Sequence, residues 1–147
     1  MTIAVLDASA LLASVFGEPI TIDMEALIPN AVMSAANWSE FVQKCLQKGI
    51  NTQGMREELE ASGLRIAPVS ATQAEIAAEL WQTYRAYGLS LADRLCIALA
   101  LEMQSAKPDG RRKAQTVTLY TADRIWITLN LAVKALCIRP NLMVHEA

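Results

Sequence analysis

The sequence predicts an α/β domain with a central, mostly parallel sheet of about four to five short strands flanked by helices. Its length of 147 residues suits one domain over residues 1–147. Short apolar runs alternate along the chain with segments of helical periodicity, the order expected when strands and helices follow one another. The runs are apolar without interruption, which is typical of parallel strands buried on both faces.

The first half of the chain predicts two strands, three helices and a short helical turn. The run Thr2–Leu6 predicts the first strand, and residues 8–16 predict a helix that ends at Gly17. A helix over residues 34–48 is indicated by apolar side chains at i, i+3, i+4 and i+7 of one face, namely Trp38, Phe41, Val42 and Cys45. The other elements are a turn at 23–27, a strand at 31–33 and a charged helix at 52–62.

The second half continues the alternation. Arg65–Ala67 predicts a short strand, and Ser70 then caps a helix with Ile76, Leu80 and Tyr84 on its inner face. Residues 91–104 are apolar nearly all round, which predicts a helix in the middle of the domain. A polar loop at 105–115, a strand at 117–120, a helix at 122–129 and a strand at 135–139 complete the prediction.

Composition excludes several functional classes. Apolar residues make up 53% of the chain, which rules out a disordered protein and predicts some surface covered by a partner. The 13 basic and 15 acidic residues give a net charge of −2, so bulk charge does not hold nucleic acid. The single histidine, His145, argues against His-dependent catalysis and His-rich metal sites.

The cysteines and the first residues bear on the compartment. The three cysteines form no CxxC pair and lie among apolar residues, which favours reduced thiols in a cytoplasm. Thr2 is not basic and Asp7 interrupts the first apolar stretch, so no secretory signal is predicted. No run approaches the ~18 apolar residues of a membrane span. We therefore expect a cytoplasmic protein with no membrane partner.

Four acids stand at or near the starts of predicted helices: Asp7, Glu40, Asp93 and Asp123. Each also suits a purely structural role, because acids cap helix N-termini and are favoured by the helix dipole. Asn37 and Glu40, like Ser90 and Asp93, have the spacing of a capping box.

Taken together, the four acids indicate a shared site. Helices that follow parallel strands begin at the carboxyl edge of the sheet, where ligands bind. Converging carboxylates repel one another unless they are protonated or neutralised by a cation. Oxygen ligands without histidine or cysteine suit Mg²⁺, with Mn²⁺ as its substitute. Mg²⁺ bridges carboxylates to phosphate oxygens, which points to metal-assisted phosphodiester hydrolysis.

The chain resembles the PIN-domain family, in particular toxins of the VapC type. Four motifs occur in the family's order over almost the whole chain, each containing one of the acids. They are Val5-Leu-Asp-Ala-Ser9, Asn37-Trp-Ser-Glu40, Gly88-Leu-Ser-Leu-Ala-Asp-Arg94 and Tyr120-Thr-Ala-Asp-Arg-Ile-Trp126. The chain departs from the family at 105–115, which is longer and more basic than the usual link.

The resemblance implies a PIN-like fold and a Mg²⁺-dependent endoribonuclease, the toxin of a type II toxin–antitoxin pair. Asp7, Glu40, Asp93 and Asp123 would then be the catalytic, metal-binding quartet. Ser9 and Thr121 match small hydroxyl positions that support the site. The implied partners are an RNA substrate, a cognate antitoxin and a second copy of the chain in a homodimer.

RNA binding must rely on local positive charge. Arg94 and Arg124 each follow a quartet acid, where they either meet phosphates or pair with neighbouring carboxylates. The densest basic cluster includes Arg111 and Arg112, and it is either a further RNA contact or a solvated loop.

Two other functions stay open from sequence. One is a PIN-fold interaction module without catalysis, which the presence of all four acids argues against. The other is a phosphatase or receiver-like protein that is phosphorylated on Asp7. It lacks the usual Asp-x-Asp start, because position 9 is Ser, and its late lysine, Lys134, does not follow a predicted strand.

Overall fold

A computed structural model describes residues 2–105 and 115–141 of the chain. Five strands form one parallel sheet: β1 (Thr2–Leu6), β2 (Ala31–Ser34), β3 (Arg65–Ala67), β4 (Thr116–Thr121) and β5 (Lys134–Cys137). The helices are α1 (Ala8–Val15), α2 (Met24–Leu27), α3 (Ala35–Gln47), α4 (Met55–Ala61), α5 (Ala71–Tyr84) and α6 (Leu91–Ser105). The predicted α/β architecture is confirmed, and the sheet is parallel throughout the described residues.

The strand order is β3-β2-β1-β4-β5. The chain builds outward from β1 through β2 and β3, then crosses back so that β4 pairs with β1 on its other side. In the register, Leu6 lies opposite Tyr120, so both strands end at the same edge of the sheet. This reversal between β1 and β4 is the switch point at which parallel α/β sheets bind ligands beyond the carboxyl ends of their strands.

The sheet separates two apolar cores. Ile3 and Val5 of β1 face the core formed with α5 and α6, whereas Ala4 and Leu6 face the core formed with α1 and α3. Every residue of β2 is buried, as a central strand requires. Burial on both faces therefore explains the uninterrupted apolar runs.

The segment before β5 differs from its prediction. The predicted α-helix at 122–129 is a 3₁₀ helix over Arg124–Leu129. The β-branched residues Ile125, Ile127 and Thr128 favour a helix less than unbranched side chains do. Asn130 then ends the segment in the left-handed conformation, at φ 53°.

Among the other elements, two boundaries differ from their predictions by two residues or more. The predicted strand at 135–139 is β5 over Lys134–Cys137, since Cys137 already pairs with Thr121, the last residue of β4. The helix predicted from residue 52 begins at Met55, because Gly54 takes the left-handed conformation at φ 81° and interrupts helical geometry.

The structure also bears on three smaller predictions. On α5, Leu80 is buried, whereas Ile76 and Tyr84 are half-buried. All three cysteines are free thiols, two of them buried and Cys137 partly exposed.

The basic cluster with Arg111 and Arg112 lies outside the described residues. Within the described ranges, no helix has both the length and the apolar character needed to span a membrane.

Candidate metal centre

Three of the four predicted acids meet at the carboxyl edge of the sheet. Asp7 connects β1 to α1, Glu40 lies in the second turn of α3, and Asp93 lies in the first turn of α6. One carboxylate oxygen from each lies within 4.8 Å of the others. Side chains distant in the sequence are therefore close enough to share one cation.

Asp7 is the buried member of this group, with 3% of its surface exposed. Its Oδ2 accepts hydrogen bonds from the Ser9 hydroxyl at 2.6 Å and from the Thr121 hydroxyl at 3.0 Å. Its Oδ1 has a longer contact of 3.5 Å from the amide of Asn37. The two strong bonds fix the carboxylate through Oδ2 and leave Oδ1 the more available oxygen.

Ser9 and Thr121 are themselves held in place by the backbone. The Ser9 Oγ accepts a hydrogen bond from Ala122 N at 2.9 Å, and the Thr121 Oγ1 accepts one from Asp123 N at 3.0 Å. These bonds orient each hydroxyl proton towards Asp7. The two predicted supporting residues thus join the start of α1 and the end of β4 to one carboxylate oxygen.

Burial raises the pKa values of all three grouped acids, and nearby negative charges add to the rise. Burial is the largest cause for Asp7 and raises its pKa to about 6, with the charges of Asp93 and Glu40 adding to the effect. Burial followed by the charge of Asp93 raises the pKa of Glu40, while Lys44 opposes the shift. The negative forms therefore destabilise one another when no cation is bound.

Asp93 also caps its helix. Its Oδ2 accepts a hydrogen bond from Ser90 N at 2.9 Å, and its own N donates to the Ser90 hydroxyl at 3.1 Å. Burial still raises its pKa despite these bonds, and the charge of Asp123 adds to the rise. The predicted capping box is confirmed, and it coexists with a place in the acidic group.

Asp123 lies outside the group of three. It is exposed, and its Oδ1 accepts a hydrogen bond from Ile125 N at 3.0 Å as the cap of the 3₁₀ helix. Its negative charge is nevertheless near enough to raise the pKa of Asp93. The structure therefore places Asp123 at the rim of the centre.

Asn37 has a role that its predicted capping box with Glu40 does not describe. Ser34 is the N-cap of α3, whereas Asn37 is fully buried and donates to the Ala92 carbonyl at 3.1 Å as well as to Asp7. The capping-box interpretation was wrong. Its position four residues before buried Phe41, on the apolar face of α3, was the available signal.

The structure places two of the predicted RNA-binding arginines on backbone carbonyls. Arg94 donates to the Ala77 carbonyl at 2.9 Å, which ties α6 to α5. Arg124 donates to the Pro140 carbonyl at 2.6 Å. In the described part of the chain, neither forms an ion pair with a neighbouring carboxylate.

The donor set fits a hard divalent cation. It offers only carboxylate oxygens, and no basic side chain among the described residues forms an ion pair with any of the three acids. The nearby Cys96 thiol is buried, and burial together with the three negative charges raises its pKa, so it stays protonated. The fully buried Asn37 Oδ1 has no hydrogen-bond partner within the described protein, which leaves a polar atom beside the acids for further coordination or hydration. Oxygen ligands without thiolate or imidazole suit Mg²⁺ or Mn²⁺.

Comparisons with known proteins agree with this fold. A chain in a toxin–antitoxin complex from Klebsiella pneumoniae is 22% identical and superposes with a TM-score of 0.54, covering 82% of this chain and 86% of its own. VapC20 from Mycobacterium tuberculosis, a sarcin-ricin loop cleaving toxin, is 13% identical with a TM-score of 0.58, covering 93% and 99%. At these identities the likeness concerns the fold. No curated protein sequence matches the chain.

A family model identifies the chain more directly. The model of the PIN domain matches residues 4–127, which include most of β1, all of β4 and all four predicted acids. This range also contains the switch point at which Asp7 lies. On the strength of that match, the chain belongs to the PIN domain family.

Proposed function

We propose that this protein is a Mg²⁺-dependent endoribonuclease and the toxin of a VapBC-type toxin–antitoxin pair. The observation that carries the proposal is the group of Asp7, Glu40 and Asp93 oxygens within 4.8 Å at the switch point of a PIN-domain sheet. The fold shared with VapC20, which is a sarcin-ricin loop cleaving toxin, supports RNA as the substrate class.

The proposal gives each acid a role. Asp7 and Asp93 are the main ligands of Mg²⁺, and Glu40 and Asp123 complete the site directly or through water. A bound Mg²⁺ supplies Lewis-acid activation of a phosphate and lowers the pKa of water, as required for hydrolysis with 5′-phosphate and 3′-hydroxyl products. Mn²⁺ substitutes because it accepts the same oxygen donors.

The surrounding residues keep the acids ready for the cation. Ser9 and Thr121 hold Asp7 through Oδ2, so that Oδ1 remains available on a fixed side chain. The Ser90–Asp93 capping bonds fix Asp93 in the same way. A cation held by these acids would offset the burial and the repulsion that raise their pKa values.

The proposed partners follow from the same function. A toxin needs an antitoxin, and the complex from Klebsiella pneumoniae with a similar fold supports such a partner. We include in the proposal a homodimer and a cytoplasmic location, where RNA substrates are found. The mass of the purified protein by light scattering tests the dimer separately from catalysis.

The test compares the wild-type protein with Asp7→Asn on single-stranded RNA in Mg²⁺. We expect wild-type cleavage with 5′-phosphate ends, loss of cleavage on adding excess EDTA and a drop of at least about 10²-fold in Asp7→Asn, as expected when a metal ligand is lost. Asp23→Asn is the matched control, because Asp23 caps α2 through a bond that asparagine also makes. Cleavage that persists in Asp7→Asn or in EDTA would overturn the proposal.

A further inference from the structure

The side of the centre next to Asp123 holds an arginine-lined cavity. Its volume is about 410 Å³, within the ~300–1,000 Å³ range of ordinary ligand sites. The residues that line it are Ser9, Ala122, Asp123, Arg124 and Arg139. An adjoining cavity of about 190 Å³ is lined by the same two arginines with Pro19 and Pro140.

This cavity lies beside the acidic centre, because one of its lining residues is hydrogen-bonded to Asp7. Ser9 lines the cavity and donates to Asp7 at 2.6 Å. Asp123 also lines the cavity, and its negative charge raises the pKa of Asp93. A chain of phosphates that reaches the centre can therefore extend past Ser9 towards the two guanidinium groups. The sequence did not mark Arg139 as a site residue, because it falls at the end of the strand predicted at 135–139 and in no motif.

The fold orients both arginines before any ligand binds. Arg139 Nε donates to the Ala122 carbonyl at 2.7 Å, and its Nη1 pairs with Glu18 at 2.8 Å. Arg124 Nη2 donates to the Pro140 carbonyl at 2.6 Å. An arginine carries five N–H donors, so these bonds use two on Arg139 and one on Arg124. The remaining donors are carried on guanidinium groups whose position is already fixed.

We propose that Arg124 and Arg139 form a subsite for a backbone phosphate of RNA adjacent to the phosphate at the acidic centre. The inference rests on the proposed ribonuclease function and adds to it the place where the flanking strand binds. A guanidinium fork matches two phosphate oxygens in geometry and charge. Local cations of this kind are required here, since the net charge of −2 and the grouped acids repel a polyanion.

Binding is measured in EDTA by fluorescence anisotropy of a labelled single-stranded RNA at several salt concentrations, so that cleavage does not intervene. Arg124→Ala and Arg139→Ala are each expected to weaken binding several-fold. Each should also lower the slope of log affinity against log salt by about 0.7, the value for one lost phosphate contact on a single strand. Arg56→Ala is the control, because Arg56 is an exposed arginine of α4 paired with Glu60.

Glu18→Gln separates phosphate binding from a merely structural brace. Glu18 neutralises Arg139 at 2.8 Å, so its removal frees positive charge and should tighten RNA binding. If the pair of Glu18 and Arg139 only braces the end of β5, Glu18→Gln should leave the RNA affinity unchanged and lower the melting temperature of the protein. Arg139→Lys keeps the charge without the fork and should bind RNA between the wild-type and alanine levels.

Three results would overturn the subsite. One is equal RNA affinity and salt slope in Arg124→Ala, Arg139→Ala and Arg56→Ala. The second is unchanged RNA binding in Glu18→Gln. The third is that a polyglutamate peptide binds as tightly as RNA of equal charge, because this would favour an acidic protein segment, and not RNA, as the occupant of the arginine-lined cavity. Failure of the ribonuclease proposal is seen separately, as absence of Mg²⁺-dependent cleavage by the wild type while the arginine dependence of binding persists.

Discussion

Asp7 is a carboxylate that the fold keeps out of water and beside two other acids. Burial opposes its charged form, and the hydrogen bonds from the hydroxyls of Ser9 and Thr121 favour it. A side chain in this position lowers the stability of the metal-free protein when it ionises. A cation bound beside Asp7 would stabilise the ionised carboxylate and offset this loss of stability.

The stability of the metal-free protein should therefore depend on pH in a defined direction. The pKa of Asp7 is about 6 in the folded chain against 3.8 in the exposed reference state, so the folded state retains a proton that the unfolded chain releases. The free energy of unfolding is expected to fall between about pH 4 and about pH 6, by on the order of 3 kcal/mol from this residue, and to level off above. Denaturant unfolding in EDTA measures it.

Asp7→Asn is the matched variant for this measurement, since asparagine has the same shape and no titrating group. It should flatten the pH dependence and make the metal-free protein more stable than the wild type at pH 7. Equal slopes in the two proteins between pH 4 and pH 6 would show that Asp7 is not the source.

Asn37 is expected to act as a positioning residue for the centre. Its amide joins Asp7 to the Ala92 carbonyl beside Asp93. Asn37→Ala should weaken Mn²⁺ binding by about 10-fold, as is typical when a residue that orients a ligand is lost. Calorimetric titration of Mn²⁺ measures the change.

The control for Asn37 is Asn51→Ala, which removes an exposed side-chain amide whose oxygen accepts a hydrogen bond from Gln53 N. Both variants are compared with the wild type at equal folded fraction. If Asn37→Ala binds Mn²⁺ as tightly as Asn51→Ala does, the Asn37 amide does not position the metal ligands and contributes only to packing.

At the scale of elements, the approach of α4 to the turn before β2 depends on Gly63. This residue has φ 113°, and an added Cβ would lie 2.6 Å from the Cα of Pro29. Gly63→Ala should reduce the free energy of unfolding by about 2–3 kcal/mol, from backbone strain and the backbone clash together. Thermal or denaturant unfolding measures the loss.

Gly17→Ala provides the comparison, because Gly17 has φ 70° but no atom within 4 Å of an added Cβ. It isolates the conformational cost, which is about 1 kcal/mol for a left-handed residue. A loss in Gly63→Ala no larger than in Gly17→Ala would mean that Pro29 moves away without cost.

Elements were predicted well where local patterns decide them. The helices α3 and α6 follow from apolar periodicity, and β1 follows from its uninterrupted apolar run. The 3₁₀ helix over Arg124–Leu129 was predicted as an α-helix, because the apolar pattern does not register that its β-branched residues disfavour the α-helix and that Asn130 ends it in a left-handed turn.

For the whole molecule, a cation at the centre would connect elements from both sides of the sheet. Asp7 follows β1, while Glu40 and Asp93 lie on α3 and α6. We expect Mn²⁺ at 100 times its Kd to stabilise the fold by about 2.7 kcal/mol, because the unfolded chain does not hold the three acids together. The shift in melting temperature on adding Mn²⁺ measures this coupling.

Substitutions of the acids should change the Mn²⁺-induced shift in melting temperature to different extents, depending on whether the acid belongs to the group of three. Asp7→Asn and Asp93→Asn should abolish the Mn²⁺-induced shift, whereas Asp123→Asn should retain most of it, since Asp123 lies outside the group of three. Asparagine also keeps the cap that Asp123 provides to Ile125. Equal loss in all three variants would place Asp123 among the direct ligands.

The sequence by itself determined the fold class, most elements and the candidate acids. Apolar runs and periodic helices are local consequences of burial, and the four motifs are short enough to be recognised in one chain. The hydroxyls of Ser9 and Thr121 were also identified from those motifs. Their common bond to one oxygen of Asp7 was not, because it depends on β4 lying beside β1.

Only the tertiary structure decided which side chains meet. The strand order brings Asp7, Glu40 and Asp93 within 4.8 Å, leaves Asp123 at the rim and buries Asn37 between the acids and α6. It also places Arg139 beside Arg124 and Ser9. These distances follow from chain crossings between remote segments. Local patterns are fixed by the nearest few residues, whereas the shared site is fixed by how the whole sheet assembles.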